Sequence, residues 1–249
     1  MIIIYICIFF LGSAIASYIN ATIYRIEKGV KYPEILTRSS QCEKCKKKLT
    51  WYELIPIFGY ILIGGRCSKC KDRVSIYYPI SEAFLGISFL LLYLFSSTFY
   101  IWIILILLFI LSYYDVLYRE VPKSLVHILI LLSLPIFIFF NFNVISLVLT
   151  GSILLLLFLL TLILKKSFGL GDMLILLALG LILPYKAYVT MFWFSIFTAL
   201  LYAVLVGIMK RKSMKKVKIP MIPFFMVSFL ISAIWGAEIF DYIISKILL

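Results

Sequence analysis

The chain has 249 residues, of which 64% are hydrophobic and only 14% are charged. Its mean hydropathy of +1.13 excludes an ordinary soluble domain. The net charge of +13 could suggest a nucleic-acid partner, but the basic residues are bunched in short loops, as in proteins that face anionic lipid. We therefore predict an all-α polytopic membrane protein that resides in the lipid bilayer and has no nucleic-acid partner.

Long apolar runs follow one another along most of the chain. A bilayer core about 30 Å thick is spanned by about 20 helical residues. The runs predict eight transmembrane helices, at about residues 2–24, 78–95, 98–114, 124–140, 144–164, 172–184, 187–209 and 222–245. The first run lacks the features of a signal peptide and is interpreted as a retained helix. The predicted domains are a first helix (1–24), a cytoplasmic four-cysteine module (25–77) and a seven-helix membrane core (78–249).

The basic residues also predict an orientation. Of the 24 Lys and Arg residues, twelve lie between Arg25 and Arg73 and six between Lys210 and Lys218. Cytoplasmic loops are enriched in such residues. If residues 25–77 are cytoplasmic, eight crossings leave only Lys186 and Lys246 outside the cell. Both termini are then extracytoplasmic.

Four cysteines lie within the first basic loop. They form two C-x2-C pairs, and 21 residues separate the pairs: Cys42, Cys45, Cys67 and Cys70. Cytoplasmic thiols stay reduced, which favours a metal site over disulfides. Four thiolates suit a tetrahedral, structural Zn²⁺ and leave no open coordination position for a substrate. The alternative is a set of reduced thiols without metal.

A polar break, Gly169-Leu170-Gly171-Asp172, precedes the short sixth helix. Its glycines permit the close approach of another backbone, and a carboxylate at membrane depth is a candidate functional group. Asp115 ends the third helix, which the predicted topology brings to the same side as Asp172. Two neighbouring carboxylates that share a proton can perform aspartic-protease chemistry. The alternative is two unrelated helix caps.

Other polar residues in the apolar runs are weaker candidates. His127, the only histidine, is interpreted as a buried structural residue in the fourth helix. Glu82 is interpreted as a carboxylate near a helix end, with a role in orienting substrate as the alternative. The segment Pro220-Met221-Ile222-Pro223 resembles a helix start and could shape a cavity mouth.

The chain resembles the type IV prepilin leader peptidases, a family of bifunctional prepilin peptidase/N-methyltransferases. The resemblance depends on a series of motifs in order along nearly the whole chain. They are Gly12-Ser13 through Asn20 to Ile23-Tyr24-Arg25; Arg38-Ser39; Trp51-Tyr52-Glu53-Leu54-Ile55-Pro56; Gly65-Arg66-Cys67; Tyr78-Pro79 with Glu82; Asp115 seven residues before Pro122; Gly169-Leu170-Gly171-Asp172; and Ile219-Pro220-Met221-Ile222-Pro223-Phe224.

The resemblance implies a membrane aspartyl endopeptidase of the GxGD type with Asp115 and Asp172 as its catalytic pair, supported by Gly169 and Gly171. The substrates would be type IV prepilins or pseudopilins, cut at the cytoplasmic face of the bacterial cell membrane after a short basic leader. It also implies methylation of the new N-terminal residue by S-adenosylmethionine. That activity is associated with the cysteine-bearing loop, in which Gly65 is a candidate cofactor-binding residue.

Two other functions remain open from the sequence. One is a related peptidase that does not methylate, although the presence of both cysteine pairs argues against it. The other belongs to a different class: a cation- or proton-coupled transporter that uses the paired aspartates. Transport would not require the four-cysteine loop, which this alternative leaves unexplained. Ion flux in vesicles that is unaffected by loss of leader cleavage would favour it.

Overall fold

The computed structural model describes residues 1–95, 98–164, 169–210 and 219–247. Within these residues the secondary structure is helical, apart from two isolated β-bridges in the cysteine-bearing loop. In chain order the elements are α1 (Ile2–Glu27), α2 (Glu34–Thr37), a 3₁₀ helix (Trp51–Leu54), α3 (Phe58–Leu62), α4 (Tyr77–Phe95), α5 (Phe99–Tyr118), α6 (Lys123–Phe140), α7 (Val144–Leu164), α8 (Leu170–Ile182), α9 (Tyr185–Lys210) and α10 (Ile222–Ile247).

The predicted membrane architecture is confirmed. Each of the eight predicted helices has a counterpart among the described residues, and seven of those helices are long and apolar enough to cross a bilayer. The remaining one, α8, has 13 residues and is therefore about 20 Å long. The three short helices between α1 and α4 were not predicted, because four or five residues carry no helical periodicity.

The chain divides into two compact units, Met1–Ser97 and Thr98–Leu249. The predicted boundaries at residues 24 and 77 are not tested by this division and stay a prediction. In the first unit, α1 packs against α4 through two glycines. A Cβ atom on Gly12 would lie 2.7 Å from the carbonyl oxygen of Leu85, and one on Gly86 would overlap the Ser13 hydroxyl. The absence of side chains lets the two backbones approach closely, as in membrane helix pairs generally.

In the second unit, α8 packs against α6 and α7. Its second half is almost entirely buried, from Ile175 to Ile182. The side-chain amide of Asn141, the residue after α6, donates a hydrogen bond to the carbonyl of Ile182 at the end of α8. At the same end of the second unit, Lys186 at the start of α9 pairs with Asp241 of α10 at 2.7 Å. The short helix is thus packed against two longer ones.

Candidate functional site

The four cysteines lie on two tight turns with the same hydrogen bonds. In the first turn, the N–H of Cys42 donates to the carbonyl of Lys47, and the N–H of Lys46 donates to Cys42. In the second turn, the N–H of Cys67 donates to Asp72, and that of Lys71 to Cys67. Each turn is closed by one of the isolated β-bridges, Gln41 with Lys48 and Arg66 with Arg73. The cysteine spacing therefore produces two equivalent knuckles.

The sulfur atoms of the knuckles form one compact group. All four lie within 4.8 Å of one another. The Cys42 and Cys70 sulfurs are 3.8 Å apart and those of Cys45 and Cys67 are 3.9 Å apart. Four sulfurs bound tetrahedrally to zinc at 2.3 Å would be about 3.8 Å apart. The predicted cluster is therefore able to hold a metal.

Hydrogen bonding favours thiolate at one of these sulfurs even without a metal. The backbone N–H groups of Cys70 and Lys69 lower the pKa of Cys67 to about 6. The usual pKa of a cysteine is about 8.5, so these hydrogen bonds favour the thiolate form of Cys67. An ionised sulfur is the form that binds metal.

Glu53 connects the knuckles to the 3₁₀ helix. Its carboxylate accepts hydrogen bonds from Lys47 Nζ at 3.0 Å, from Ser68 Oγ at 2.6 Å and from the Thr50 N–H at 2.8 Å. Burial alone would raise the pKa of Glu53, but these hydrogen bonds outweigh it and lower the pKa to about 2. Since Lys47 and Ser68 belong to different knuckles, Glu53 joins the two turns.

Asp115 lies in the last turn of α5 and is buried in the second unit. The backbone N–H of Ile222, the first residue of α10, donates to its Oδ2 atom at 3.0 Å. That amide belongs to the first turn of a helix, where N–H groups have no partner within the helix and the helix dipole favours an anion. The position of the Asp115 carboxylate is thus set by the start of α10, 107 residues along the chain.

Asp172 is the third residue of α8, and its carboxylate reaches back toward the start of that helix. The backbone N–H of Gly169, the N-cap residue, hydrogen-bonds to it, as in one half of a capping box. A Cβ atom on Gly169 would lie 3.3 Å from Asp172 Oδ2, so the glycine leaves room beside the carboxylate. A Cβ atom on Gly171 would have Val121 Cβ as its nearest neighbour, at 4.0 Å.

The two predicted aspartates lie within electrostatic range of each other, since the charge of Asp115 acts on the Asp172 carboxyl group. Both carboxylates face helix starts, Asp115 that of α10 and Asp172 that of α8. The role of α10 was missed by the sequence reasoning, although the prolines at 220 and 223 were noted as a helix start. The predicted burial of His127 is wrong, because the structure leaves this side chain exposed.

A large cavity lies within the first unit, between the start of α4, the end of α1 and the cysteine module. Its volume is about 980 Å³, and its lining includes Asn20, Tyr24, Tyr60, Cys67 and Glu82. Gly65 is not among the described lining residues. It has a positive φ of 65°, and a Cβ there would lie 2.7 Å from the Tyr60 hydroxyl. Any side chain at this position would therefore disturb a wall of the cavity, and a direct role for Gly65 in cofactor binding stays a prediction.

Fold and site together define a multi-pass membrane protein with paired carboxylates and a four-cysteine cluster able to hold a metal. Residues 10–96 match the family model described as the bacterial Peptidase A24 N-terminal domain. Residues 102–204 match the model of the type IV leader peptidase family. These two matches follow one another along most of the chain, which belongs to the type IV leader peptidase family.

Several curated relatives share part of the sequence, and each is named prepilin leader peptidase/N-methyltransferase. The chain is 32% identical to the protein of Vibrio cholerae over 85 residues, 32% identical to that of Myxococcus xanthus over 82, and 29% identical to that of Neisseria gonorrhoeae over 100. These stretches cover 32%, 33% and 32% of this chain and only 34%, 24% and 35% of the relatives' own lengths. No solved structure matches the chain.

Proposed function

We propose that this protein is a membrane aspartyl endopeptidase that removes the leader peptide from type IV prepilins or pseudopilins. The observation that supports the proposal is that the charge of Asp115 acts on the Asp172 carboxyl group in a chain of the leader peptidase family. The names of the relatives supply the class of substrate. The paired carboxylates supply a chemistry that can cleave a peptide bond.

The reaction would need the two carboxyl groups to share one proton. The ionised carboxylate accepts a proton from a water molecule as the water oxygen attacks the scissile carbonyl carbon. The protonated partner donates a hydrogen bond to the carbonyl oxygen and then passes its proton to the leaving nitrogen. The products are a leader with a new carboxyl terminus and a mature pilin with a free α-amine. The second product is the substrate that an N-methyltransferase needs.

The main-chain contacts would preserve the geometry of this pair. The Asp115 carboxylate is held by a backbone amide of α10, and Asp172 is held at the start of its own helix. Neither contact involves a flexible basic side chain. Small displacements of catalytic groups are costly in rate, and main-chain donors limit such displacements.

The four cysteines would hold a structural Zn²⁺, on the evidence of the spacing of their sulfur atoms. The ion would bind Cys42, Cys45, Cys67 and Cys70 as thiolates and stabilise residues 25–77 as a cytoplasmic domain. A loop of about fifty residues has too small a core to be stable alone, and the metal would supply much of its folding free energy.

Methylation of the new N-terminal residue is proposed from the names of the relatives. S-adenosylmethionine would supply the methyl group, which passes to the α-amine with loss of a proton and leaves S-adenosylhomocysteine. A fit to the residues present is found in the first unit, where the cavity of about 980 Å³ has the polar residues Asn20, Tyr24 and Glu82 in its lining. A zwitterionic ligand of this size needs such groups.

One experiment tests both activities. The purified full-length protein is incubated with a prepilin and S-adenosylmethionine, and the product is analysed by mass spectrometry. We expect loss of the leader and a gain of one methyl group at the new N-terminus. An intact prepilin would contradict the peptidase, and a cleaved but unmethylated product would contradict only the methyltransferase.

A further inference from the structure

An uncharged apolar segment interrupts the basic loop between α1 and α4. Residues 54–65 have the sequence LIPIFGYILIGG, without a charged side chain, although the loop holds twelve of the chain's 24 Lys and Arg residues. An apolar run of this length is too short to span a bilayer and is typical of a buried or a re-entrant segment. The structure distinguishes between these two.

The side chains of this segment are not buried in the protein. Phe58, Ile61 and Leu62 of α3 are 50%, 64% and 65% exposed. Leu54, at the end of the 3₁₀ helix, is exposed as well. Single exposed apolar residues are common, but a contiguous group of large ones indicates a surface that contacts lipid or another protein. The segment is therefore not the core of the cysteine module.

The position of α3 along α1 indicates which of the two it contacts. The Phe58 ring stacks on the Phe10 ring of α1, with centroids 6.0 Å apart and 25° between the ring planes. Phe10 lies 15 residues before Arg25, the first charged side chain of the chain, or about 22 Å along the helix axis. With Arg25 at the membrane surface, Phe10 lies well inside a hydrocarbon core about 30 Å thick. The Phe58 ring then lies in the hydrocarbon core too.

Two further contacts fix the segment within the first unit. The N–H of Ile57 donates to Oε2 of Glu82, the sixth residue of α4, at 2.7 Å. A Cβ atom on Gly59 would lie 2.8 Å from the carbonyl carbon of Glu53, so the glycine lets α3 pack directly on the 3₁₀ helix. The segment is thus held by α1, by α4 and by the 3₁₀ helix that carries Glu53.

The turn before α3 satisfies its backbone groups, as backbone at membrane depth requires. Pro56 has no N–H to satisfy. The N–H of Phe58 donates to the carbonyl of Pro56 at 2.6 Å, and that of Gly59 to Ile55 at 2.7 Å. Between them Ile57 has a φ of 65°, which is strained for a β-branched residue. This strained turn directs the Ile57 N–H to the carboxylate of α4, so the contact with α4 stabilises it.

We propose that residues 54–65 form a re-entrant segment that enters the bilayer beside α1, with Phe58, Ile61 and Leu62 in contact with lipid acyl chains. Trp51, 77% exposed just before the segment, suits the membrane–water interface, where tryptophan is enriched. The predicted cytoplasmic module is thereby narrowed to the residues around the knuckles. Because Glu53 joins both knuckles and directly precedes the segment, the segment anchors the knuckles at the membrane surface. This proposal does not depend on the peptidase or the methyltransferase activity.

The first test uses the wild-type protein in vesicles of phosphatidylethanolamine and phosphatidylglycerol. A lipid with a photoreactive diazirine in its acyl chain is activated, and the adducts are mapped by mass spectrometry. We expect adducts on residues 58–62 at yields comparable to those on Ile6 and Leu11, which are exposed on α1. Lys46 and Lys71, exposed on the two knuckles, should carry none.

Two outcomes of this labelling would overturn the proposal. One is modification of residues 58–62 by a water-soluble diazirine as strongly as the knuckles, which would place α3 in water. The other is the absence of either label from residues 58–62 while α1 is labelled by lipid, which would mean that a protein surface covers α3.

The second test compares two charged substitutions in lipid nanodiscs. Leu62→Asp would place a carboxylate in hydrocarbon and should lower the melting temperature by roughly 5 °C or more. The matched control is Leu36→Asp, an exposed leucine of α2. That helix lies at the charged end of α1, since Arg25 donates to the carbonyl of Ile35 at 2.8 Å, so the control should melt like the wild type. Equal melting of Leu62→Asp and the control would contradict the re-entrant segment.

Discussion

At the scale of single residues, main-chain donors rather than basic side chains position the candidate catalytic carboxylates. Asp115 accepts the N–H of Ile222, and Asp172 accepts the N–H of Gly169. The sequence predicts both aspartates as candidate catalytic residues, because a carboxylate at membrane depth is energetically costly and is therefore a candidate functional group. It does not predict their partners. The contact of Asp115 with Ile222 spans 107 residues, and no local pattern encodes a contact at that separation.

Gly169→Ala tests how closely the Asp172 carboxylate is positioned. The new Cβ would lie 3.3 Å from Oδ2, while the backbone at φ −76° accepts alanine without strain. We expect correct insertion but leader cleavage slowed roughly tenfold by displacement of the carboxylate. Gly151→Ala is the control, because its Cβ would meet nothing within 4 Å. Equal cleavage rates in the two variants would show that this glycine does not position Asp172.

Glu53→Gln tests the carboxylate that joins the cysteine knuckles. The folded pKa of about 2 is below the ordinary value of about 4.3, so the stability contributed by Glu53 is complete above about pH 4.3 and is lost as the pH falls toward 2. We expect faster amide hydrogen exchange over residues 42–73 in this variant than in the wild type. After correction of the exchange rates for their intrinsic pH dependence, the difference between variant and wild type should be the same at pH 6 and pH 8.

The matched control for Glu53→Gln is Glu34→Gln, an exposed acidic residue of the same loop whose loss should leave the exchange unchanged. A difference between wild type and Glu53→Gln that disappears at pH 6 would contradict the low pKa of Glu53. It would mean that the carboxylate is weakly held in the folded loop.

At the scale of elements, the long helices are predictable and the short ones are not. Runs such as the one that forms α5 have only one stable conformation in lipid, since every backbone polar group must be bonded within the segment. Outside the membrane that constraint is absent. The helices α2 and α3 depend on packing within the loop, and the fit of the two knuckles depends on turn geometry that cysteine spacing only suggests.

Gly86→Ala tests the close crossing of α1 and α4. Its Cβ would lie 2.9 Å from the carbonyl oxygen of Phe9 and would overlap the Ser13 hydroxyl, so the helices must separate. We expect a loss of roughly 1–3 kcal/mol, as for other overpacked sites, seen as a lower melting temperature in detergent. Gly151→Ala, on an open helix surface, should melt like the wild type. Equal melting of both variants would exclude a close crossing.

At the scale of the whole molecule, the short helix α8 decides the topology. Its length of about 20 Å is less than the bilayer core, yet the side of the membrane on which α9 begins depends on whether α8 crosses. If α8 did not cross, the six basic residues between Lys210 and Lys218 would be extracytoplasmic. The distribution of basic residues therefore favours a crossing by α8. A helix this short can cross where the bilayer is locally thin, or where the polar residues at the helix ends lie below the membrane surface.

Impermeant thiol labelling of intact cells tests this topology. In a Cys7→Ser background, a cysteine at Lys186 should be labelled from outside, and a cysteine at Glu120 only after lysis. These positions are on opposite sides when α6, α7 and α8 all cross. Labelling of both only after lysis would show that α8 turns back within the membrane.

The most direct test of the central claim measures cleavage of a prepilin by Asp115→Asn, Asp172→Asn and the double variant. Each asparagine keeps the size of the side chain but cannot exchange a proton. If the two carboxylates act as a unit, as we propose, each single change should lower the rate by roughly 10²–10⁴-fold or more, and the double variant should be little worse than either. Glu120→Gln, which removes an exposed acidic charge five residues after Asp115, should cut normally. A correctly inserted Asp172→Asn protein, with normal metal content, that cleaves prepilin at close to the wild-type rate would contradict the aspartyl mechanism.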